Sequence, residues 1–251
     1  MIKAFRLKIY HVVFTVALVG VLYGSWLQIS DMLERRSIAA LSTVLAGRLI
    51  VIDPGHGGID TGTRSPTGTY EKDITLEVSK RLAAMLGQAG SAVILTRECD
   101  MWLADPGAPH KKRSDLTRRV DIANRNNADV FVSIHVNSFT FDRSQRGAQT
   151  FSQPGSEEGK ILSRCIQNEL IRVLRNTERQ PKEIDYFIRH SKVPAVIVEI
   201  GFLSNPAEEK LLLDSAYQSK VAFAIYCGLV RYFADQDART QNSEPRPQNS
   251  E

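Results

Sequence analysis

Three short apolar runs constrain this chain most: residues 49–52 (LIVI), 130–134 (VFVSI) and 196–198 (VIV). Each is too short for a helix and rich in β-branched side chains. That is the pattern of strands buried on both faces. The stretches between them carry helical spacing instead. Ile74, Val78, Leu82 and Met85 recur along residues 73–88, and Gly90 follows as a stop signal. Residues 116–126, 157–176 and 217–233 also read as helices, the second with Ile161, Ile166, Leu170 and Leu174 on one side. Shorter strands fit residues 92–96 and 147–151. Residues 102–113 read as a loop, and Asn205-Pro206 as an N-cap with proline at the first helical position. Strands alternating with helices predict an α/β domain whose open, twisted, mostly parallel (mixed) sheet is flanked by helices on both faces.

In such sheets ligands collect beyond the carboxyl ends of the strands. Polar residues wait at those ends here. His56 follows the first run in VIDPGHGGID, His135 ends the second in DVFVSIHVNS, and Glu199 ends the third in PAVIVEIGFLSN. Glu71 opens the helix in TYEKDIT and can reach the same edge. Two imidazoles and one carboxylate suit a catalytic zinc ion with an open fourth position. The remaining carboxylate then serves as a base. Glu199 needs a partner, because an unpaired carboxylate after an apolar strand is costly to bury. A water at the metal or a buried arginine would each provide one.

Other residues of the set have two readings. Asp53 and Asp60 are either acceptors that hold ligand imidazoles or turn formers. Asn137 is either a substrate contact or a strand-end turn residue. Gly55, Gly57 and Gly58 permit a sharp turn and close approach of the backbone. A phosphate-cradling loop is disfavoured, since neither GxxxxGK[ST] nor GxGxxG is present. His11, His110 and His190 lie in an apolar segment, a basic loop and a polar loop, with no ligand role.

The net charge of +4 is uneven. Residues 1–46 hold five basic and two acidic residues, so the remainder is close to neutral. No basic stripe interleaved with aromatics points to nucleic acid. Cys99, Cys165 and Cys227 are odd in number and form no CxxC; Cys165 and Cys227 read as small core residues. Lys3, Arg6 and Lys8 precede residues 9–29, a stretch of 21 without Asp, Glu, Lys or Arg. At 1.5 Å per residue this spans a bilayer core of about 30 Å. An uncleaved anchor is expected, with residues 1–8 inside and the rest outside; a cleaved signal peptide is the rival reading. Residues 30–46 then form a linker or short helix, 47–235 the single catalytic domain, and 236–251 a polar, disordered tail.

Together the segments IDPGHGGIDTGT, YEKDITLEVSKRL, ILTRECD, DLTRRVDIANRNNADVFVSIHVNS and VPAVIVEIGFLSN resemble the zinc-dependent N-acetylmuramoyl-L-alanine amidases of the amidase-3 type. The resemblance spans roughly residues 48–234. It implies one Zn2+ per chain on His56, Glu71 and His135, with Glu199 as the catalytic glutamate, and peptidoglycan as substrate. RGAQTF and RNTERQPKEI resemble the CwlD-type amidases of endospore formers. That likeness implies removal of stem peptides from spore cortex before muramic-δ-lactam forms, in the space between the forespore membranes. Any activating partner protein is left unidentified. Two rivals remain at this level: a zinc peptidase acting on wall peptides, and a non-catalytic, membrane-tethered wall binder.

Overall fold

The computed structural model describes residues 2–243. It separates into a first unit of residues 1–41 and a second that begins at Ser42. The first unit is one helix, α1 (Ile2–Leu41). Its stretch His11–Ser30 has a mean hydropathy of 1.9 and is unburied, so it is long and apolar enough to cross a membrane. The linker expected from residue 30 is therefore helical as far as Leu41, and a 3-10 turn covers Ser42–Leu45.

The second unit holds β1 (Leu49–Pro54), α2 (Glu71–Gln88), β2 (Ala92–Leu95), α3 (Lys111–Arg125), β3 (Val130–Asn137) and β4 (Gln149–Ser152). There follow α4 (Glu157–Leu174), β5 (Lys182–Glu183), β6 (Ala195–Phe202), α5 (Pro206–Leu213) and α6 (Ser215–Ser243). The sheet order is β2-β1-β3-β6-β4-β5. All neighbours are parallel except β4 and β6. The sheet is thus mixed and mostly parallel, as expected.

Alternation along the strands divides the core in two. Val51, Phe131 and Ile197 pack with Val120 and Ala123 of α3 and with Phe187 and Ile188. The intervening residues Ile50, Ile52, Val132, Val196 and Val198 are fully buried on the other side, where α2 and α4 contact the strands and α6 packs across those helices. Burying each such side chain is worth roughly 1.5–3 kcal/mol, so these two layers set the fold. Cys227 is buried as expected, whereas Cys165 is only half-buried.

Helix ends follow local chemistry where caps exist. The Asn205 side chain accepts from the backbone amides of Ala207 (2.9 Å) and Glu208 (3.2 Å), with Pro206 next. Ser156 caps α4 through the amide of Gly159 at 3.0 Å. Several boundaries differ from expectation; among them β6 runs on to Phe202, past Glu199, and β3 to Asn137, past His135. α3 starts at Lys111, inside the expected loop, although its first turn has no acidic residue and His110 makes no side-chain cap. Tertiary anchoring overrides that weak start, because Asp115 accepts from the amide of Leu103 at 2.9 Å. α6 runs to Ser243, so the tail expected to be disordered from residue 236 is helical at its start. Arg239 donates to Glu158 of α4 at 2.6 and 3.1 Å, and Asp237 pairs with Arg48. Such pairs are worth about 0–1 kcal/mol each, enough to prolong an existing helix. Residues 244–251 of that expected tail lie outside the described residues.

Candidate active site

The carboxyl edge of β1, β3 and β6 brings the four predicted residues together. His56 lies just past β1, His135 sits near the end of β3, and Glu199 is its register partner on the adjacent parallel strand β6. Glu71 is the first residue of α2. One ligand atom each from His56, Glu71 and His135 lies within 4.8 Å of the others. Glu71 Oε1 is 3.2 Å from His56 Nε2 and 3.1 Å from His135 Nδ1. Both Glu71 oxygens are also held by backbone: Val136 N donates to Oε1 at 2.9 Å, and Thr63 N to Oε2 at 2.8 Å.

The loop after β1 gives this geometry its shape. His56 has φ 63°, a left-handed conformation that costs a non-glycine residue about 1–3 kcal/mol. Arg119 holds it there, donating to the His56 carbonyl at 2.7 Å. Gly57 has φ 135°, and a Cβ there would lie 2.2 Å from the Met101 carbonyl. A Cβ on Gly55 would lie 2.5 Å from the His135 ring. Glycine is required at both places, one for the turn and one for the imidazole.

Two buried arginines clasp the same loop. Arg119 donates to Asp53 Oδ1 (2.8 Å), the Pro54 carbonyl (2.8 Å) and Asp115 Oδ2 (2.6 Å). Arg97 donates to the carbonyls of Pro54 (2.9 Å), Gly55 (3.0 Å) and Lys72 (2.7 Å). The two readings of the aspartates now separate. Asp60 Oδ2 stands 2.9 Å from His56 Nδ1, on the ring side away from Glu71, and also pairs with Lys112. Asp53 holds no imidazole. It accepts from Arg119, Ser133 and Thr96, because its place in the middle of the sheet edge faces hydroxyls and a guanidinium. The buried arginine considered for Glu199 therefore serves Asp53 instead.

Electrostatics set Glu199 apart. Burial opposes ionisation of Glu71, but hydrogen bonds from His135 and His56 hold it well below the usual carboxylate range. Burial likewise opposes charge on His56, yet Asp60 and Glu71 push it up to about 9. For Glu199, burial and the like charge of Glu71 act together and push it up to about 8. Glu199 Oε2 is buried without a hydrogen-bond partner among the described residues. A cleft of about 270 Å³ opens over the group, lined also by Asn137 and Tyr186. Asn137 lines the cleft, and its Oδ1 accepts from Ser138 N at 2.7 Å, the strand-end turn role.

Sequence reasoning missed Arg97, Arg119, Lys112 and Tyr186. A signal existed for the first two. A long basic side chain just after a strand, or on the inner face of a helix, must find acceptors when it is buried. Tyr186 follows a two-residue strand and carried no such mark.

The N-acetylmuramoyl-L-alanine amidase family, Amidase_3, matches residues 50–231. The chain belongs to this family. A germination-specific N-acetylmuramoyl-L-alanine amidase of Bacillus subtilis is 41% identical, over 77% of this chain and 83% of that protein. The amidase AmiA of Escherichia coli is 30% identical, over 79% and 81%. The structure of the CwlD amidase from Clostridioides difficile, in complex with the GerS lipoprotein, is 40% identical with a TM-score of 0.72. That match covers 75% of this chain and all of that one. The chain is thus an amidase-type hydrolase of peptidoglycan, and its sheet and flanking helices are those of the family.

Proposed function

We propose that this chain uses zinc, held by His56, Glu71 and His135, to hydrolyse the amide between the lactyl group of N-acetylmuramic acid and L-alanine. The observation that supports it best is a His-Glu-His donor set beside a carboxylate, Glu199, whose buried Oε2 has no hydrogen-bond partner among the described residues. Zinc in such a three-ligand site acts as a Lewis acid on a carbonyl and lowers the pKa of water from 15.7 toward roughly 7.

The chain's own residues do the rest. Asp60 stands 2.9 Å from the Nδ1 side of the His56 ring, Gly55 leaves room for His135, and the amides of Thr63 and Val136 aim Glu71. Glu199 accepts a proton from water in the cleft and delivers it to the departing alanine nitrogen. A base poised near neutral pH suits that double duty, and burial supplies the upward push. A dication held by the triad would offset the charge of Glu71 and so lower Glu199.

The setting follows from α1 and from the relatives. Basic residues before the apolar stretch support a domain outside the cytoplasm, anchored by α1 or released by cleavage. The 41% and 40% identities to a germination-specific amidase and to CwlD support spore cortex as the substrate and the space between the forespore membranes as the site of action. By likeness to CwlD, a lipoprotein is the expected kind of partner.

Digestion of purified peptidoglycan tests this reading. Intact stem peptides with free L-alanine amino termini are the expected products. New termini inside the peptides would indicate a peptidase. The absence of any product, with no zinc in the purified protein, would indicate a wall binder.

A further inference from the structure

The catalytic cleft runs into a second groove of about 990 Å³, within the range that holds small ligands. The two share Lys112, Leu116 and Tyr186. One wall of the groove is the first half of α3; the other is the segment 186–190. Tyr186 is exposed and meets the Phe187 ring edge-on, with centroids 5.1 Å apart. The Phe187 ring lies 6.4 Å from that of His135. A row of rings therefore leads from the candidate metal ligand out to the groove.

The charge of this groove is one-sided. Its lining includes His110, Lys111, Lys112 and Arg113, against a lone acidic residue, Asp121. Asp121 is already met by Arg125 at 3.4 Å. Lys111 is turned onto the carbonyls of Asp105 and Pro106, and Lys112 onto Asp60. Arg113 is exposed and has no hydrogen-bond or ion-pair partner among the described residues.

The chemistry of the substrate decides what such a groove takes. In a peptidoglycan strand the N-acetyl sugars are neutral, and the muramoyl carboxyl is consumed in the scissile amide. The free carboxylates sit on the stem peptide. A groove that adjoins the scissile position and offers an unpaired guanidinium matches the peptide half, not the glycan.

We propose that this groove is the subsite for the stem peptide, with Arg113 pairing to one of its carboxylates and Tyr186 lining the passage from the cleft. The proposal rests on the amidase reading above and extends it to how the leaving group is held. Arg113 determines affinity for acidic peptides and takes no part in bond cleavage.

The test uses the full chain and two soluble muramoyl peptides, one with free peptide carboxylates and one with those carboxylates amidated. Arg113→Glu should raise KM for the acidic substrate about tenfold, leaving kcat, and both constants for the amidated substrate, unchanged, as for a partly screened charge contact. Arg113→Lys should restore most of the affinity. An unchanged thermal midpoint shows that each variant is folded. The unmodified protein offers a check that needs no variant: its KM for the acidic peptide alone should rise with salt. If it cleaves both substrates while Arg113→Glu leaves KM unchanged and salt affects both peptides alike, the subsite is overturned and the amidase reading stands. If it releases peptide from neither substrate, the amidase reading falls and this inference falls with it.

Discussion

The ends of β1 and β6 lie on the same sheet edge and treat charge in opposite ways. At β1, every charge is answered. Asp53 meets Arg119, Ser133 and Thr96, and Arg97 and Arg119 between them occupy the carbonyls of Pro54, Gly55 and His56. At β6, Glu199 Oε2 is buried and has no hydrogen-bond partner among the described residues. The first arrangement fixes geometry. The second stores reactivity, because a carboxylate that the fold leaves unsatisfied is free to take a proton. The contrast teaches where the fold spends its hydrogen bonds: on the residues that must not move.

Breaking the β1 side should have the largest effect. Arg119→Met leaves Asp53 and Asp115 buried without their cation, a loss of about 3–5 kcal/mol for one partner of a buried pair. Much of the stability of a domain this size would go, and activity with it. Thermal unfolding and digestion assays read this directly. Arg119→Lys should rescue poorly, because one ammonium cannot reproduce the guanidinium contacts to Asp53, Asp115 and two carbonyls.

Breaking the β6 side should do the reverse. Glu199→Gln removes a costly buried acid, so the thermal midpoint should hold or rise while turnover falls about 100-fold or more. Asp60→Asn comes next. It weakens the acceptor behind His56, and a loss of about 10–100-fold in metal affinity is expected, measured by chelator competition.

The smallest effect concerns pH in the metal-free protein. His56 is raised from 6.5 to about 9, and Glu199 from 4.5 to about 8. Both folded values exceed the unfolded ones. Their contribution is therefore fully present below the unfolded values and is lost as pH rises through 8 and 9. The thermal midpoint of the metal-free domain should fall between pH 6 and pH 9.5. With zinc in place of the proton on His56, the His56 part of that fall should disappear.

Much of this was legible in the sequence because the informative residues stand at punctuation points. The apolar runs that lead into Pro-Gly-His, His and Glu mark His56, His135 and Glu199 for one edge, although β3 and β6 themselves continue to Asn137 and Phe202, and Glu71 opens its helix where expected. What escaped was non-local. Nothing near Arg119 announces that it faces Asp53, 66 positions away along the chain. Helix α3 begins at Lys111 against its own first-turn electrostatics, and α6 passes residue 236 because Arg239 and Asp237 find partners on other elements. Tyr186 and Arg113 gain meaning only when the groove brings them beside the cleft. Local propensity carries none of these contacts; tertiary packing does.

The division of labour between the two glutamates is the centre of the account. Zinc content by elemental analysis, together with turnover on muramoyl peptide, should be measured for Glu71→Gln and Glu199→Gln after the same dialysis against a weak chelator. Glu71→Gln replaces an anionic ligand with a weaker neutral one and should lose metal. Glu199→Gln should keep one zinc per chain and lose turnover about 100-fold or more. A Glu199→Gln protein that sheds zinc as readily as Glu71→Gln, or that keeps both zinc and turnover, would contradict the account.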